Sequence, residues 1–421
     1  MKVRQLALAA TLACAAWQSV AAQAPPGSAA GVAPLTAAPV TVTLVTFGLG
    51  HEVFERFGHN ALWFHDAATM QDLAYHWGLF SFDEPGFLLR FLTGDTNYWM
   101  GAVDARLLIE SERSRGRPVT LQRLNLTPAQ VLKLREFVQW NAREENKFYR
   151  YDYFGDNCST RLRDALDGVL GGAIRRMTDT VITSTSYRRE SVRLTDGDAP
   201  VQAGIDVALG RPADVPLTQW QSFFIPMRLR DAVRNVRVQD SAGVSRPLVA
   251  QEQVVSLPAG AVPVPERPDP PRLVPRYLLL GLLLAALVVV LRVMMLSRRT
   301  AAWGLALLGG AWSLLCGTLG VILLLAWVAT KHVFWAWNEN LLVFTPLSLF
   351  MVFLIPAAIL SQRRERAARM IAAVIAVVGL VELLLALLPG GQESLAIVAM
   401  VLPTHLALAW ALALPRPVAP A

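Results

Sequence analysis

Long apolar runs dominate the last third of the chain. Five of them are long enough to cross the roughly 30 Å hydrocarbon core of a bilayer. We predict membrane spans at about residues 277–296, 303–329, 342–360, 370–388 and 395–414. Clusters of arginine follow the first and third runs, whereas the other connections carry little positive charge. Because positive loops stay in the cytoplasm, we expect a transmembrane domain over 276–421 with a cytoplasmic C-terminus.

The first residues have the pattern of a secretory signal. Lys2 and Arg4 precede a short apolar stretch, and small residues follow it. We therefore assign residues 1–22 to a signal peptide and the Ala-, Pro- and Gly-rich residues 23–40 to a flexible lead-in. A lipoprotein signal that ends at Cys14 is the alternative, but the apolar stretch before Cys14 is very short.

Between these segments, residues 41–255 alternate in the manner of a globular α+β domain, and the Pro-rich residues 256–275 form a linker. Thr127-Pro128 is a typical helix start, and Gly171-Gly172 a typical helix end. The pattern predicts strands over Thr41–Phe47, Asn60–Phe64, Asp72–Leu79 and Arg117–Leu124, and a helix over Ser159–Leu170.

Composition narrows the class of protein. The 421 residues are 54% hydrophobic and 17% charged, which is too apolar for a wholly soluble chain and excludes general disorder. The net charge of +7 lies mainly in predicted cytoplasmic loops and along helices. The basic residues do not form a stripe that is interleaved with aromatic residues, so we expect no nucleic-acid partner.

Cys158 is the only cysteine of the predicted exported domain, because Cys14 lies in the signal and Cys316 in an apolar run. A single thiol in an oxidising compartment is often kept for its reactivity, although a small buried hydrophobe is the alternative. Asp156 or Asn157 is placed to cap the following helix. The thiol then lies in the first turn, where we expect the helix dipole to favour the thiolate.

Arg161 and Arg163 follow on the same helix and add positive charge near the thiol. The backbone N–H groups of that first turn are also candidates to hold an oxyanion.

His59 is the candidate base. A lone strand histidine is usually structural, but a turn centred between Ala67 and Ala68 places His59 opposite His76 on the neighbouring strand. A helix-borne Cys that faces a strand-borne His is the arrangement of papain-like thiol enzymes. The spacing of His51, His59, His65 and His76 matches no tetrahedral metal site, so we predict neither a metal nor a cofactor.

Two further features have open interpretations. Glu382 lies inside the fourth predicted span, where a carboxyl group is either functional or hydrogen-bonded between helices. Aromatic and leucine residues between Phe80 and Phe91, with Tyr98-Trp99, either line an acyl-chain site or form an ordinary core. The pattern assigns no role to the loop Trp335–Asn340.

Several motifs together resemble the Lnb-type lipoprotein N-acyltransferase family. The most specific block runs from Tyr149 to Phe154 and continues with Asp156 to Arg161. The others are Val45 to Phe47, Phe57 to Leu62, Tyr75 to Gly78, Phe91 to Gly94, Leu124 to Thr127, Gly204 to Asp206, Leu209-Gly210, Phe224 to Pro226, Asn338 to Leu342 and Thr345 to Leu347.

This resemblance implies a circularly permuted NlpC/P60-like, papain-like domain followed by a five-span helical bundle. Cys158 and His59 match the family's catalytic positions, and His76, where the family is expected to have Asn, would orient His59. Asn157 and Tyr153 are implied to bind an oxyanion or to position the site. The family also implies the inner membrane of a bacterium, with the catalytic domain in the periplasm.

The implied reaction is transfer of an acyl chain from a membrane phospholipid, through a Cys158 thioester, to the N-terminal amine of a lipoprotein. The partners would be the lipid bilayer, the phospholipid donor and the lipoprotein acceptor. Two alternatives remain at this level. One is a membrane-anchored thiol hydrolase that acts as a cell-wall endopeptidase or a phospholipase. The other is a non-catalytic envelope sensor or assembly factor.

Overall fold

A computed structural model describes residues 40–240 and 242–415, and it divides into two compact units. The sheet unit contains the described residues up to 181 together with 220–264. The helical unit contains 182–219 and the residues from 265 onward. Residues 182–219 fall inside the predicted domain 41–255 but group with the apolar helices. The predicted signal and residues 23–39 of the lead-in lie outside the described residues.

The sheet unit is built on seven antiparallel strands in the order β6-β4-β3-β2-β1-β5-β9, and a separate pair, β7 and β8, completes it. The predicted strands are all present, each with slightly different ends. The strands are β1 Val40–Phe47, β2 His59–Asp66, β3 Gln71–Leu79, β4 Asn97–Asp104, β5 Val119–Leu124, β6 Phe148–Arg150, β7 Arg237–Gln239, β8 Ser245–Pro247 and β9 Val249–Val255.

Helices surround the sheet and then form the C-terminal region. They are α1 Phe87–Thr93, α2 Ala105–Ser114, α3 Pro128–Asn141, α4 Cys158–Val169, α5 Ala173–Thr178, α6 Tyr187–Leu194, α7 Ala199–Ala208, α8 Gln219–Ser222, α9 Pro226–Val233, α10 Leu273–Met294, α11 Arg299–Ala329, α12 Ser348–Ser361, α13 Glu365–Leu387 and α14 Leu395–Ala413. Thr127 caps α3 through the predicted Thr-Pro start, and Gln130 completes a reciprocal capping box.

Period-two alternation divides the sheet into two buried faces. On one face Leu62 of β2 and Trp77 of β3 pack with the hydrophobic side of α4, which includes Leu162. On the opposite face Phe47 and Ala61 belong to a smaller cluster with Ala105 of α2. Helix α4, which begins at Cys158, is therefore packed against the face that carries the even-numbered residues of β2.

The register of the β2–β3 hairpin differs from the predicted one. A turn centred between Ala67 and Ala68 would pair Leu62 with Leu73, whereas the structure pairs Leu62 with Tyr75. The turn is longer because Asp66 accepts hydrogen bonds from the amides of Ala68 and Thr69. A shift of two residues leaves every side chain on its predicted face, so His59 and His76 still share one face.

The helical unit contains four helices that are long and apolar enough to cross a membrane: α10, α11, α13 and α14. The third predicted span is replaced by α12, which has 14 residues, because residues 343–347 precede it without regular helix. Its length of about 21 Å is shorter than the hydrocarbon core of a bilayer. The five predicted spans are thus four long helices and one short one.

Small residues let these helices approach closely. Gly317 and Gly309 of α11 contact Leu349 and Ile355 of α12, respectively, so α11 and α12 run antiparallel. Gly281 of α10 lies against the backbone of Ala399 and Met400 near the start of α14. Toward the other end of α10, the Arg292 guanidinium donates to the Ala411 carbonyl at 2.8 Å. The first and last helices of the bundle therefore run parallel.

Residues 182–219 are attached to the helical unit by a buried polar cluster. The Arg188 guanidinium, which is almost fully buried, forms ion pairs with Asp214 at 2.6 Å and Asp206 at 2.9 Å. Asn338 and Asn340 lie in the loop that precedes α12. Each donates a side-chain N–H group to the Val207 carbonyl. The loop Trp335–Asn340 thus binds the end of α7 through backbone carbonyls.

Replacement of Arg188 is expected to destabilise the helical unit strongly. Arg188→Ala leaves two carboxylates buried without their cation, which costs about 3–5 kcal/mol. The measurement is the midpoint of thermal unfolding of the detergent-solubilised protein. Arg189→Ala is the matched control, because Arg189 is half-exposed and its ion pair with Glu393 contributes about 0–1 kcal/mol. Equal shifts for the two variants would contradict the role of this cluster.

Candidate active site

The first turn of α4 is held by the side chain of Asn157. Its Oδ1 accepts hydrogen bonds from the backbone amides of Ser159 and Thr160, both at 2.9 Å. In return the hydroxyl of Thr160 accepts from the Asn157 amide at 2.8 Å. This reciprocal cap satisfies the amides that a helix N-terminus leaves open. Of the two predicted caps, Asn157 fills the position, and Asp156 pairs with Arg161 instead.

The nitrogen of the Asn157 side-chain amide connects α4 to two further segments. Its Nδ2 donates to the Tyr153 carbonyl at 2.8 Å and to the Phe224 carbonyl at 2.9 Å. Both side-chain N–H groups are therefore used, and none is left to donate to an oxyanion. In this geometry Asn157 is a positioning group, and Tyr153 takes part through its backbone carbonyl.

Ser159 docks the same turn onto β2. Its hydroxyl donates to the Phe223 carbonyl at 2.6 Å and accepts from the side-chain amide of Asn60 at 3.2 Å. Asn60 follows His59 directly in β2. The start of α4, the start of β2 and the Phe223-Phe224 segment are thereby fixed to one another by buried hydrogen bonds.

The thiol of Cys158 lies in a closed, partly aromatic environment, and the residue is 8% exposed. It packs against Gly78 of β3, where a Cβ would lie 3.3 Å from the Cβ of Cys158 and close to the Tyr151 ring. Gly78 also has a φ of +90°, at an irregularity in the β3–β4 pairing. The position therefore needs glycine both for its backbone and for the approach of the cysteine.

Burial decides the protonation of this thiol. It raises the pKa of Cys158 to about 12, although the Ser159 amide, the Arg117 charge and the amides of Cys158 and Asn60 act in the opposite direction. The predicted stabilisation of the thiolate by the helix start is thus present, but burial outweighs it. In the resting protein Cys158 carries a neutral thiol at pH 7.

Arg117 is the cation that lowers the pKa of the Cys158 thiol, and the sequence did not predict it. Arg117 is buried, donates two hydrogen bonds to the Gly48 carbonyl and forms an ion pair with Glu112 at 2.5 Å. The predicted cations are occupied elsewhere, since Arg161 stacks on Tyr149 and Arg163 stacks on Trp220. Arg117 stands at the start of a predicted strand, where nothing in the pattern distinguishes it from a surface charge.

His59 and His76 form a hydrogen-bonded pair. Nε2 of His59 lies 2.9 Å from Nδ1 of His76, and the ring of Phe47 stacks on His59. Burial lowers the pKa of His59 well below its ordinary value, with His76 and Arg117 adding to the effect. Burial also lowers the pKa of His76 to about 4. Both imidazoles are therefore neutral at pH 7, and one must donate to the other.

Cys158 and His59 both lie at the start of β2, on opposite faces of the sheet. The backbone amide of Asn60 acts on the sulfur, and Asn60 is the residue after His59. The Asn60 side chain points toward α4, whereas the His59 ring lies with Phe47 on the other face. No direct hydrogen bond joins thiol and imidazole among the described residues. In unliganded enzymes the hydrogen bonds between catalytic groups are often long or poorly aligned and tighten when substrate binds.

The remaining candidate residues lie apart from this pair. His65 and Trp63 bind Asp72, each at 2.8 Å, and His51 is exposed. No group of three or more histidine, cysteine or acidic residues in 40–240 and 242–415 is placed to hold a metal ion. Glu382 is buried in the helical unit, where its Oε1 accepts from the Ser394 hydroxyl at 2.5 Å.

Two family models match most of the chain. Residues 34–188 match the Lnb N-terminal periplasmic domain, and residues 272–414 match the Lnb transmembrane domain. The chain belongs to the Lnb family. Its Lnb periplasmic match includes Cys158 and both histidines of the pair, and its Lnb membrane match contains α10 to α14. No curated protein and no solved structure matches the chain.

The closed environment of Cys158 predicts a slow, strongly pH-dependent alkylation. Because burial raises the thiol pKa to about 12, the rate with iodoacetamide should keep rising through pH 9 rather than level off. The measurement is the alkylation of the Cys158 peptide by mass spectrometry between pH 6 and 10 in the full chain. The Cys316 peptide of the same digest is the internal control. A plateau below pH 8 would indicate a thiolate and contradict this account.

Proposed function

We propose that this Lnb-family protein is a membrane-bound cysteine acyltransferase. It moves an acyl chain from a phospholipid to the N-terminal amine of a lipoprotein through a thioester on Cys158. The observation that carries the proposal is the lone thiol at the capped start of α4, at the end of β2 where His59 and His76 form a pair. The membrane helices of the same chain support a lipid substrate.

The neutral thiol and the neutral imidazole favour general-base chemistry over a resting ion pair. For His59 to act as the base, its Nε2–H must donate to Nδ1 of His76, which leaves the lone pair of His59 Nδ1 free. As the Cys158 sulfur attacks the ester carbonyl, His59 takes the thiol proton and passes it to the departing lysophospholipid oxygen. The incoming amine then attacks the thioester, an amide forms and the thiol is restored.

Backbone amides are the candidates for oxyanion binding. The amides of Cys158, Ser159 and Asn60 all act on the sulfur, so they lie where charge would develop on an adjacent carbonyl oxygen. Asn157 and Tyr153 support them indirectly, since Asn157 fixes the first turn that carries two of these amides.

The environment of the thiol favours transfer over hydrolysis. A hydrolase needs water or a peptide to reach the thioester through an open groove, whereas Cys158 is buried beside Gly78 and Tyr151. A thiol-bearing helix that packs on an antiparallel sheet, with His before Cys in the chain, also fits the permuted NlpC/P60-like arrangement. The experiment below distinguishes acyl transfer from the two alternatives, a hydrolase and a non-catalytic factor.

For the membrane topology we propose five crossings in the bacterial inner membrane, with α12 as the short third one. The parallel packing of α10 and α14 requires an odd number of crossings from the first to the last. Arg298, Arg299 and the arginines between 363 and 369 would then lie in the cytoplasm with the C-terminus. The catalytic unit would lie in the periplasm, where tethering raises its effective concentration at the lipid surface.

The experiment is mass spectrometry of lipoprotein N-termini from cells that depend on this protein for N-acylation. We expect wild-type protein to yield N-acylated termini, and Cys158→Ala and His59→Ala to abolish them, because both the nucleophile and the base are required. N-acylation that persists with Cys158→Ala would exclude the thioester route. Released lysophospholipid and free fatty acid without an acylated amine would indicate the hydrolase.

His76 offers a graded control in the same assay. His76→Asn keeps a hydrogen-bond acceptor for the His59 Nε2–H, whereas His76→Leu removes it. We expect His76→Asn to retain most of the activity and His76→Leu to lose about 100-fold, because positioned acid–base catalysis usually contributes about 10²- to 10⁴-fold. Equal activity of these two variants, both folded, would contradict the orienting role of His76.

A further inference from the structure

An apolar patch covers one side of the sheet unit around α1. We define it by Phe82, Leu88, Leu89 and Leu92. The three leucines are 68%, 67% and 51% exposed, and Phe82 is 51% exposed. Neighbouring exposed apolar side chains of this size are uncommon on soluble surfaces and mark sites of interaction.

Helix α1 is apolar on both of its sides, but only its inner side packs against the sheet unit. Phe87 and Phe91 stack on each other with centroids 6.0 Å apart, and Phe87 also stacks on Phe80 at 5.8 Å. This inner side attaches the helix to the sheet unit and leaves the leucines pointing outward. A helix that is hydrophobic all round normally has a second apolar surface against it.

The charges around the patch favour hydrocarbon as that second surface. Between Gly86 and Gly94 the only charged residue is Arg90, and it forms an ion pair with Glu84. The helix therefore offers no net charge to a protein surface or a nucleic acid, and an exposed charge beside the patch is Asp83, which follows Phe82. Aliphatic leucines with a neutralised cation at their edge suit the acyl chains of a bilayer.

A row of aromatic rings connects the patch with the candidate nucleophile. Phe82 contacts Phe80, and Phe80 stacks on Tyr98 at 5.0 Å. Tyr98 stacks on Tyr151 at 4.4 Å, and Tyr151 borders the space where Gly78 meets Cys158. These rings form a continuous series of apolar contacts from the patch to the thiol.

We propose that the patch is a lipid-contacting surface that inserts into the bilayer, and that the row Phe80, Tyr98 and Tyr151 receives the acyl chain that reaches Cys158. The lipid contact is a separate property of this surface. The delivery of the chain rests on the proposed acyltransferase function. The occupant is the hydrocarbon of membrane lipid, and a protein partner is an outcome of the test.

The first experiment measures where Leu88 lies. A nitroxide spin label is attached through Leu88→Cys in the full chain, reconstituted in bilayers of phosphatidylethanolamine and phosphatidylglycerol. Collisions of the label with oxygen, which concentrates in hydrocarbon, are compared with collisions with a water-soluble nickel chelate. The unsubstituted protein, whose Cys158 and Cys316 are buried, gives the background labelling.

Leu107→Cys is the matched control, because Leu107 is a leucine of the same unit that is 72% exposed on the charged helix α2. We expect the Leu88 label to collide mainly with oxygen and the Leu107 label mainly with the nickel chelate. A Leu88 label that favours the chelate would overturn the lipid contact. A Leu88 label shielded from both reagents would indicate a protein partner and would also overturn it.

The second experiment measures acyl transfer from bilayer phospholipid. Each of Leu88→Ser and Leu92→Ser should lower the rate about tenfold, because each removes a leucine that would be buried in hydrocarbon, while Leu107→Ser should change it less than twofold. If the label reports lipid but wild-type protein transfers no acyl chain, the proposed function fails and the lipid contact stands. If transfer proceeds unchanged in both patch variants, the delivery role of the patch is wrong.

Discussion

The side-chain amide of Asn157 joins three segments of the sheet unit at the point where α4 begins. It accepts from two amides of the first turn and donates to the Tyr153 and Phe224 carbonyls. Ser159 adds bonds to Asn60 and to Phe223. The position of the thiol relative to β2 depends on this network, which is buried and therefore costly to disrupt. The amides that act on the sulfur and the approach of Cys158 to Gly78 both follow from it.

Much of this arrangement is local and was predictable from the sequence. Strand alternation places His59 and His76 on one face, and a register error of two residues leaves that conclusion intact because the side-chain period of a strand is two. The Thr127-Pro128 start and the Asn157 cap are also short-range signals, in which a side chain bonds amides two or three residues away. Cys158 could be identified as the lone cysteine of the predicted exported domain by counting cysteines and locating the apolar runs.

What the sequence could not supply depends on long-range burial. The thiol pKa rises because β3 and Tyr151 close over Cys158, and no local pattern reports that closure. Arg117 acts on the site from the irregular segment that precedes β5, and Phe224 binds Asn157 from 67 residues away. Hydropathy also treats residues 342–360 as one span, whereas the segment before Ser348 turns irregular where Asn338 and Asn340 bind α7.

The central claim, that Cys158 carries the acyl chain, is tested most directly by trapping the intermediate. The purified full chain is held in phospholipid bilayers without any acceptor amine, digested, and examined by mass spectrometry. The account predicts one acyl chain on the Cys158 peptide, released by neutral hydroxylamine as thioesters are, and absent from His59→Ala protein. An unmodified Cys158 peptide from protein that still N-acylates lipoproteins when the acceptor is added would contradict it.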